Sequence, residues 1–294
     1  MRKTKINDFI FYTLNTVLLT AFTFVCVYPM LYILVYSFSD PITASIRGVY
    51  LFPVGFTLDN YRRILTSSNI YNAVTVSASR TVFGSLITVA CSSLYAYLVT
   101  RRDLPFRRFF YRFLITSMYL GAGLIPWYIV MTTLRLNNSF ALYIVPSAVS
   151  AFGVILIKTY IEQLPDAVED AALIDGAGPI NMLIKIILPL SLPILACITV
   201  FNAVGQWNAW QDNFFLVMNP RLKTLQLLLL EYMQSNRVDL GNPIAMLERQ
   251  REFVTTPFSI RTTMTVITIL PIACVYPFMQ RYFVKGIMLG AVKG

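Results

Sequence analysis

The chain has 294 residues, 56% of them hydrophobic and 13% charged, with no histidine and a formal net charge of +10. A soluble domain carries roughly 25% charged residues, so this composition excludes a water-soluble globule. The basic balance does not point to nucleic acid either, because the Lys and Arg residues flank long apolar runs instead of forming a patch.

Six runs lack every Asp, Glu, Lys and Arg: residues 9–39, 81–100, 113–134, 136–157, 186–211 and 262–280. Each reaches about the 20 residues that a helix needs to cross a hydrocarbon layer ~30 Å thick. None alternates with period two, which argues against an outer-membrane barrel. The pattern predicts an all-α polytopic membrane protein with six transmembrane helices, forming a single transmembrane domain over residues 1–294.

Arg2, Lys3 and Lys5 precede the first run, which is far longer than a signal-peptide core of roughly 7–15 residues; an uncleaved, tilted first span is expected. Turn signals at Asp40-Pro41, Gly48, Pro53 and Gly55 mark an external segment, and Thr57-Leu58-Asp59-Asn60-Tyr61 has the form of a capped helix start. The second span is expected to start near Tyr71 and to include Arg80 close to its outer end, from which a long side chain can snorkel to water. Arg101, Arg102, Arg107, Arg108 and Arg112 form a basic turn after it. Short basic segments are retained inside, so these arginines, the basic start, and Arg281, Lys285 and Lys293 put both termini in the cytoplasm.

Residues 212–259 form a long external segment of mixed charge. Its apolar stretch 224–233 is too short to span and is expected to be an interfacial or packed helix. Cys26, Cys91, Cys197 and Cys274 fall in four different runs and act as small hydrophobes. With no histidine and no acid cluster inside a span, the chain offers no metal site and no catalytic constellation.

The segment between the fourth and fifth runs begins Leu164-Pro-Asp-Ala-Val-Glu-Asp-Ala-Ala-Leu-Ile-Asp-Gly-Ala-Gly-Pro and ends at Pro189. Pro165 suits a first helical position, and Asp166, Glu169 and Asp170 lie in early turns where negative charge is favoured. Ala167, Val168, Ala171 and Ala172 are expected on one face, with Glu169 and Asp170 turned away. Asp175-Gly176 ends the helix. Pro179 starts a second short helix that Pro189 closes, so residues 165–189 form a hairpin. From the residues alone, an ordinary amphipathic connector explains this segment as well as a docking element does.

This segment resembles the EAA loop of permease subunits from binding-protein-dependent (type I) ABC importers, through Asp170-Ala171-Ala172, Gly176, and Ile186 or Ile187 with Leu188-Pro189. Asp170 stands where the family has Glu, with Glu169 just before it. The string Glu169-Asp-Ala-Ala-Leu-Ile-Asp-Gly-Ala is similar to the carbohydrate branch. Residues 280–294 resemble the tail of the shorter permease of maltose-type transporters, and the group handling complex oligosaccharides such as alginate or pectin fragments. The resemblance implies a bacterial cytoplasmic (inner) membrane permease that forms the path for a sugar or oligosaccharide and is not itself an enzyme. It implies a second permease in a heterodimer, two cytoplasmic ATPase subunits and an extracytoplasmic solute-binding protein. This chain then binds no cofactor, ATP and Mg belonging to the ATPase. Glu169, Asp170, Ala171, Ala172, Asp175, Gly176 and Pro189 are implied to couple to that ATPase. The tail 285–294 is implied to lie between ATPase subunits, and residues 235–243 to probe the binding protein, although a solvated connector explains the latter equally.

Asn202, Gln206 and, just past the charge-free run, Asn213 stand at helical spacing in the fifth span, with Trp207 and Trp210 among them. Amides beside flat aromatic rings suit sugar hydroxyls, whereas interhelical polar packing and an interfacial aromatic belt explain the same residues. Pro126-Trp127-Tyr128 is a second candidate. Two rival readings are an importer permease for a non-sugar solute and a secondary transporter subunit. The second needs an ionisable group within the membrane, which all six runs lack.

Overall fold

The computed structural model describes residues 2–238 and 256–291, and every regular element among them is helical. The expected binding-protein loop at 235–243 therefore lies largely outside the described residues, as does the end of the 285–294 tail. Three helices are individually long and apolar enough to cross a membrane: Asp8–Ser37, Ser68–Thr100 and Pro257–Pro277. Counting two bent helix pairs as one span each raises this to five among the described residues.

The chain divides into two compact units, one of Met1–Ser67 with Leu229–Leu270 and the other of Ser68–Leu228 with Pro271–Gly294. In the first, α1 (Arg2–Ser37) ends where Asn60 clamps it, the Asn60 Nδ2 donating to the Ser37 and Ser39 carbonyls, both at 3.0 Å. Asp40 does more than turn the chain. It caps α2 (Pro41–Arg47), accepting from the Thr43 N–H at 2.8 Å and its hydroxyl at 2.7 Å, and these bonds hold its carboxyl below the ordinary value. The expected short helix is α3 (Asp59–Leu65), whose first N–H donates to the Thr57 hydroxyl at 3.1 Å.

In the second unit, α4 (Ser68–Thr100) is the axis. It starts at Ser68, close to the expected start near Tyr71, and Arg80 lies three turns inside it. One face of α4 carries small and polar residues roughly four apart, and each meets a partner. The Ser77 hydroxyl accepts from the Leu225 N–H at 2.8 Å, the Thr88 hydroxyl donates to the Ser147 carbonyl at 2.7 Å, and the Ser92 hydroxyl accepts from the Ser150 N–H at 2.9 Å. Between them Gly84 admits Gln206, for a Cβ there would sit 2.8 Å from its Nε2. Small side chains let helices approach closely in a solvent that offers no hydrophobic drive between apolar surfaces.

The third run is not one helix. It forms α5 (Arg107–Tyr119) and α6 (Leu124–Thr133), separated at Gly123, whose φ of +79° favours glycine. Pro126 then lies in the first turn of α6, the one part of a helix that needs no N–H from it. The fourth run bends by 45° between two 3₁₀ turns over Phe140–Ser147 and α7 (Ala151–Ile161).

The hairpin is α8 (Asp166–Ile174) and α9 (Pro179–Met182). Pro189 does not close the second limb. The chain continues through a wide π turn at Leu183–Ile187 into α10 (Leu188–Leu190), and the break comes at Ser191, 82° before α11 (Leu192–Asn208). A proline next to a π turn is a recognised cause of sharp bending, because both disturb the ladder of hydrogen bonds. α11 stops at Asn208, with Ala209 extended, and α12 (Gln211–Leu216) follows. The apolar stretch 224–233 lies in α13 (Leu225–Val238), where Leu225, Leu227 and Leu228 are buried, so it is a packed helix. The last helix is α14 (Pro257–Ala291).

Candidate functional site

The second unit holds a cleft of about 910 Å³ between the start of α6 and the break between α11 and α12. Trp127 and Trp210 face it, with Asn208, Gln211 and Asp212 as polar groups and Gly205 and Gly123 leaving room. Flat rings beside amides and a carboxylate are the chemistry that sugar faces and hydroxyls need. Trp210 is braced by an edge-on contact to Phe214, 6.0 Å between centroids.

Behind the cleft lies a closed polar network. Arg80 is 3% exposed, its Nη1 and Nη2 meeting both Asp212 oxygens and its Nε donating to the Gln206 Oε1 at 2.8 Å. Nη1 also reaches the Ala209 carbonyl at 3.3 Å, and the guanidinium lies 4.5 Å over the Tyr143 ring. Arg80 therefore does not snorkel to water; it is neutralised in place by Asp212. The Gln206 Nε2 donates to the Tyr143 carbonyl at 3.2 Å and the Ser147 hydroxyl at 2.7 Å. Asn213 is fully buried, its Nδ2 donating to the Leu222 carbonyl at 3.2 Å and its Oδ1 accepting from the Thr224 N–H at 3.0 Å. A buried polar group of this kind is costly unless every partner is present, and here they are.

The amides expected at one helical spacing thus part company. Asn202 donates to the Ile198 carbonyl of its own helix at 2.9 Å, Gln206 and Asn213 belong to the network, and Trp207 is buried at 8% exposure. Asn213 lies on α12, beyond the break at Ala209, so the helical spacing to Asn202 does not hold. Of the five, Trp210 lines the cleft, as does Trp127 of the second candidate. Asn208, Gln211 and Asp212 lie within four residues of Trp210 in sequence and were not singled out there. Their signal was the polar cluster itself, hidden by treating the whole run as one straight helix.

At the other end of α4 the hairpin is closed by local geometry. The Gly176 N–H donates to the Leu173 carbonyl at 3.0 Å and the Ala177 N–H to the Ala172 carbonyl at 2.9 Å. Gly176 has φ +76°, and the pair of bonds is the Schellman closure of a helix C-terminus. Ala172 and Ala177 pack into the core with Tyr97, Ile157 and Met182. Glu169 is not turned away as expected. It is half-buried, whereas Ala167 and Ala171 are exposed, because the face centred on Val168 and Ala172 is the one the core accepts. Asp170 and Asp175 are exposed beside Leu173 and Ile174, the latter at 86%. Arg101 ties the second limb to α4: its Nε and Nη2 each meet Asp103 at 2.9 Å, and its Nη1 lies 3.8 Å from the Met182 sulfur. The bond to Asp103 pushes the Arg101 pKa up, and the nearby Glu169 carboxylate adds to it.

No family model matches the chain. It is 32% identical over 282 residues to the polygalacturonan/rhamnogalacturonan transport system permease protein YtcP of Bacillus subtilis, covering 94% of this chain and 96% of that protein. The arabinooligosaccharides transport system permease protein AraQ of Halalkalibacterium halodurans is 28% identical, with 92% of each covered. The chain belongs to the ABC transporter permease family. Among solved structures, a chain of a bacterial ABC transporter involved in import of the acidic polysaccharide alginate superposes with a TM-score of 0.86 at 28% identity, covering 94% of this permease and 98% of that chain. The permease thus keeps nearly its whole length in register with that transporter chain, and its hairpin and cleft lie within the matched span.

Proposed function

We propose that this permease forms one half of the translocation path for a sugar or oligosaccharide, handed to it by a solute-binding protein and moved by a cytoplasmic ATPase. A second, related permease completes the path, six spans cross the bacterial cytoplasmic membrane, and both termini lie inside. The hairpin is the element on which the ATPase pulls. The observation that carries this reading is its build: a Schellman-closed turn seated on the core by Ala172 and Ala177, with the apolar Leu173 and Ile174 exposed between Asp170 and Asp175. A rigid apolar tip rimmed by carboxylates suits a cleft with basic edges. Trp127, Trp210, Asn208 and Gln211 are this chain's contacts to the passing sugar.

The test is a cysteine at Ile174, which is open to solvent, in vesicles reconstituted with the candidate ATPase. A short cross-linker joins the two subunits and arrests ATP-driven uptake of oligosaccharide. Absence of that cross-link, or uptake without the ATPase, overturns the reading.

A further inference from the structure

The first unit holds a cavity of its own, of about 820 Å³. Its walls come from α1 near the end at Ser37, from the chain at Gly48–Tyr50, and from the first turns of α14. Tyr28, Tyr32, Tyr50 and Phe258 make it aromatic, and among the described residues Arg261 is its one charged group.

Arg261 sits in the second turn of the apolar segment Pro257–Pro277. Its Nε–H is buried and has no hydrogen-bond partner, and the ion pairs among the described residues use Arg80, Arg101 and Lys158 instead. A buried N–H left unpaired costs free energy that an anion at the cavity recovers. Among the described residues, no carboxylate lines the cavity to play that part.

The surface next to the cavity decides between anions. α1 carries an aromatic row, Phe24, Tyr28, Tyr32 and Tyr36, with successive centroids 5.8, 6.5 and 6.1 Å apart, which leads from the bare apolar part of the helix into the cavity. The most apolar window of α1 is 0% buried, with Phe22, Val25 and Met30 exposed. An occupant must therefore present a negative group to Arg261 and long apolar matter to α1, and tyrosines and an arginine near span ends mark the depth of lipid headgroups. We propose that this cavity binds the phosphate of an anionic phospholipid, with Arg261 as its counter-ion and Tyr28 and Tyr32 bracing the glycerol region.

The full-length chain, purified with the subunits that accompany it, is placed in phosphatidylcholine nanodiscs with and without phosphatidylglycerol, and its thermal midpoint is measured. The wild type gains about 3 °C from phosphatidylglycerol, the size of shift a bound ligand gives a chain of this length. Arg261→Gln removes that gain. So does Thr265→Trp, which fills the cavity and leaves the arginine, and either variant alone suffices if the other does not assemble. A full gain in both variants overturns the proposal. The same gain from inorganic phosphate or galacturonate in phosphatidylcholine discs also overturns it, by assigning the site to a soluble anion. Loss of another subunit from Arg261→Gln at unchanged lipid content does so too, by making the cavity a protein interface.

Discussion

Arg80 and Asp212, 132 residues apart in sequence, meet in a two-pronged ion pair whose side chains are 4% and 15% exposed. The pair fixes α4 against the break that sets Trp210 at the cleft, since Arg80 also bonds the Ala209 carbonyl. Removing one partner strands the other charge, which costs about 3–5 kcal/mol. Asp212→Ala is therefore expected to lower the thermal midpoint of the purified permease sharply and to cut its yield. The paired change Arg80→Met with Asp212→Leu is expected to recover most of the loss. An Asp212→Ala midpoint equal to wild type contradicts the structural role given to the pair.

Gly84 and Gln206 give a second test of the same network. A methyl at Gly84 meets the Gln206 amide at 2.8–2.9 Å, and that amide is held by bonds to Arg80, Tyr143 and Ser147, so it has no free direction to move. Gly84→Ala is expected to cost about 1–3 kcal/mol as overpacking. In the background of Gln206→Ala the same substitution costs less, and the double-mutant cycle measures the difference. Strict additivity means that the two residues do not share the contact.

How much of this was legible beforehand follows from how local each signal is. The two short helices and their turn are set by residues within a few positions of one another, Pro165, Asp175-Gly176 and Pro179, whereas the continuation past Pro189 was not legible. The expected outward turn of Glu169 missed because a nine-residue helix can present several faces, and only the core around Tyr97 and Met182 selects one. The break at Ala209 has no proline or glycine to announce it. It exists because Arg80 and the Asn213 network hold the chain extended there, and their partners come from distant segments. The start of the second span was expected near Tyr71 and α4 begins at Ser68, but the burial of Arg80 was not legible, because its counter-charge Asp212 lies 132 residues away in sequence.

On the proposed reading, the residues lining the cleft touch solute and those behind it hold its shape. Trp210→Ala removes a ring from the wall, and aromatic contacts of this kind are worth ~0.5–1.5 kcal/mol, or roughly two- to tenfold in apparent affinity for transported oligosaccharide. Asn208→Ala and Gln211→Ala act in the same direction. Asn202→Ala leaves transport affinity unchanged, because its amide is already bonded to the Ile198 carbonyl. Uptake kinetics in reconstituted vesicles compare the four variants, and an Asn202 effect as large as that of Trp210 refutes the assignment.

Gly176 isolates the hairpin turn from the packing around it. A Cβ there meets nothing within 4 Å, so Gly176→Ala suffers only the cost of φ +76°, about 1–2 kcal/mol confined to the turn. Gly176→Pro goes further, since proline forbids that φ and removes the N–H that bonds the Leu173 carbonyl. Ala172 and Ala177 remain in the core, so the body of the permease is expected to keep its thermal midpoint while the tip carrying Leu173 and Ile174 changes direction. In reconstituted transporter this gives ATP hydrolysis that no longer responds to solute, and uptake reduced by at least about tenfold, the equivalent of ~1.4 kcal/mol in coupling. The alanine variant falls between proline and wild type. If Gly176→Pro imports normally for each ATP hydrolysed, the turn is only a connector and the mechanical role belongs elsewhere in the chain.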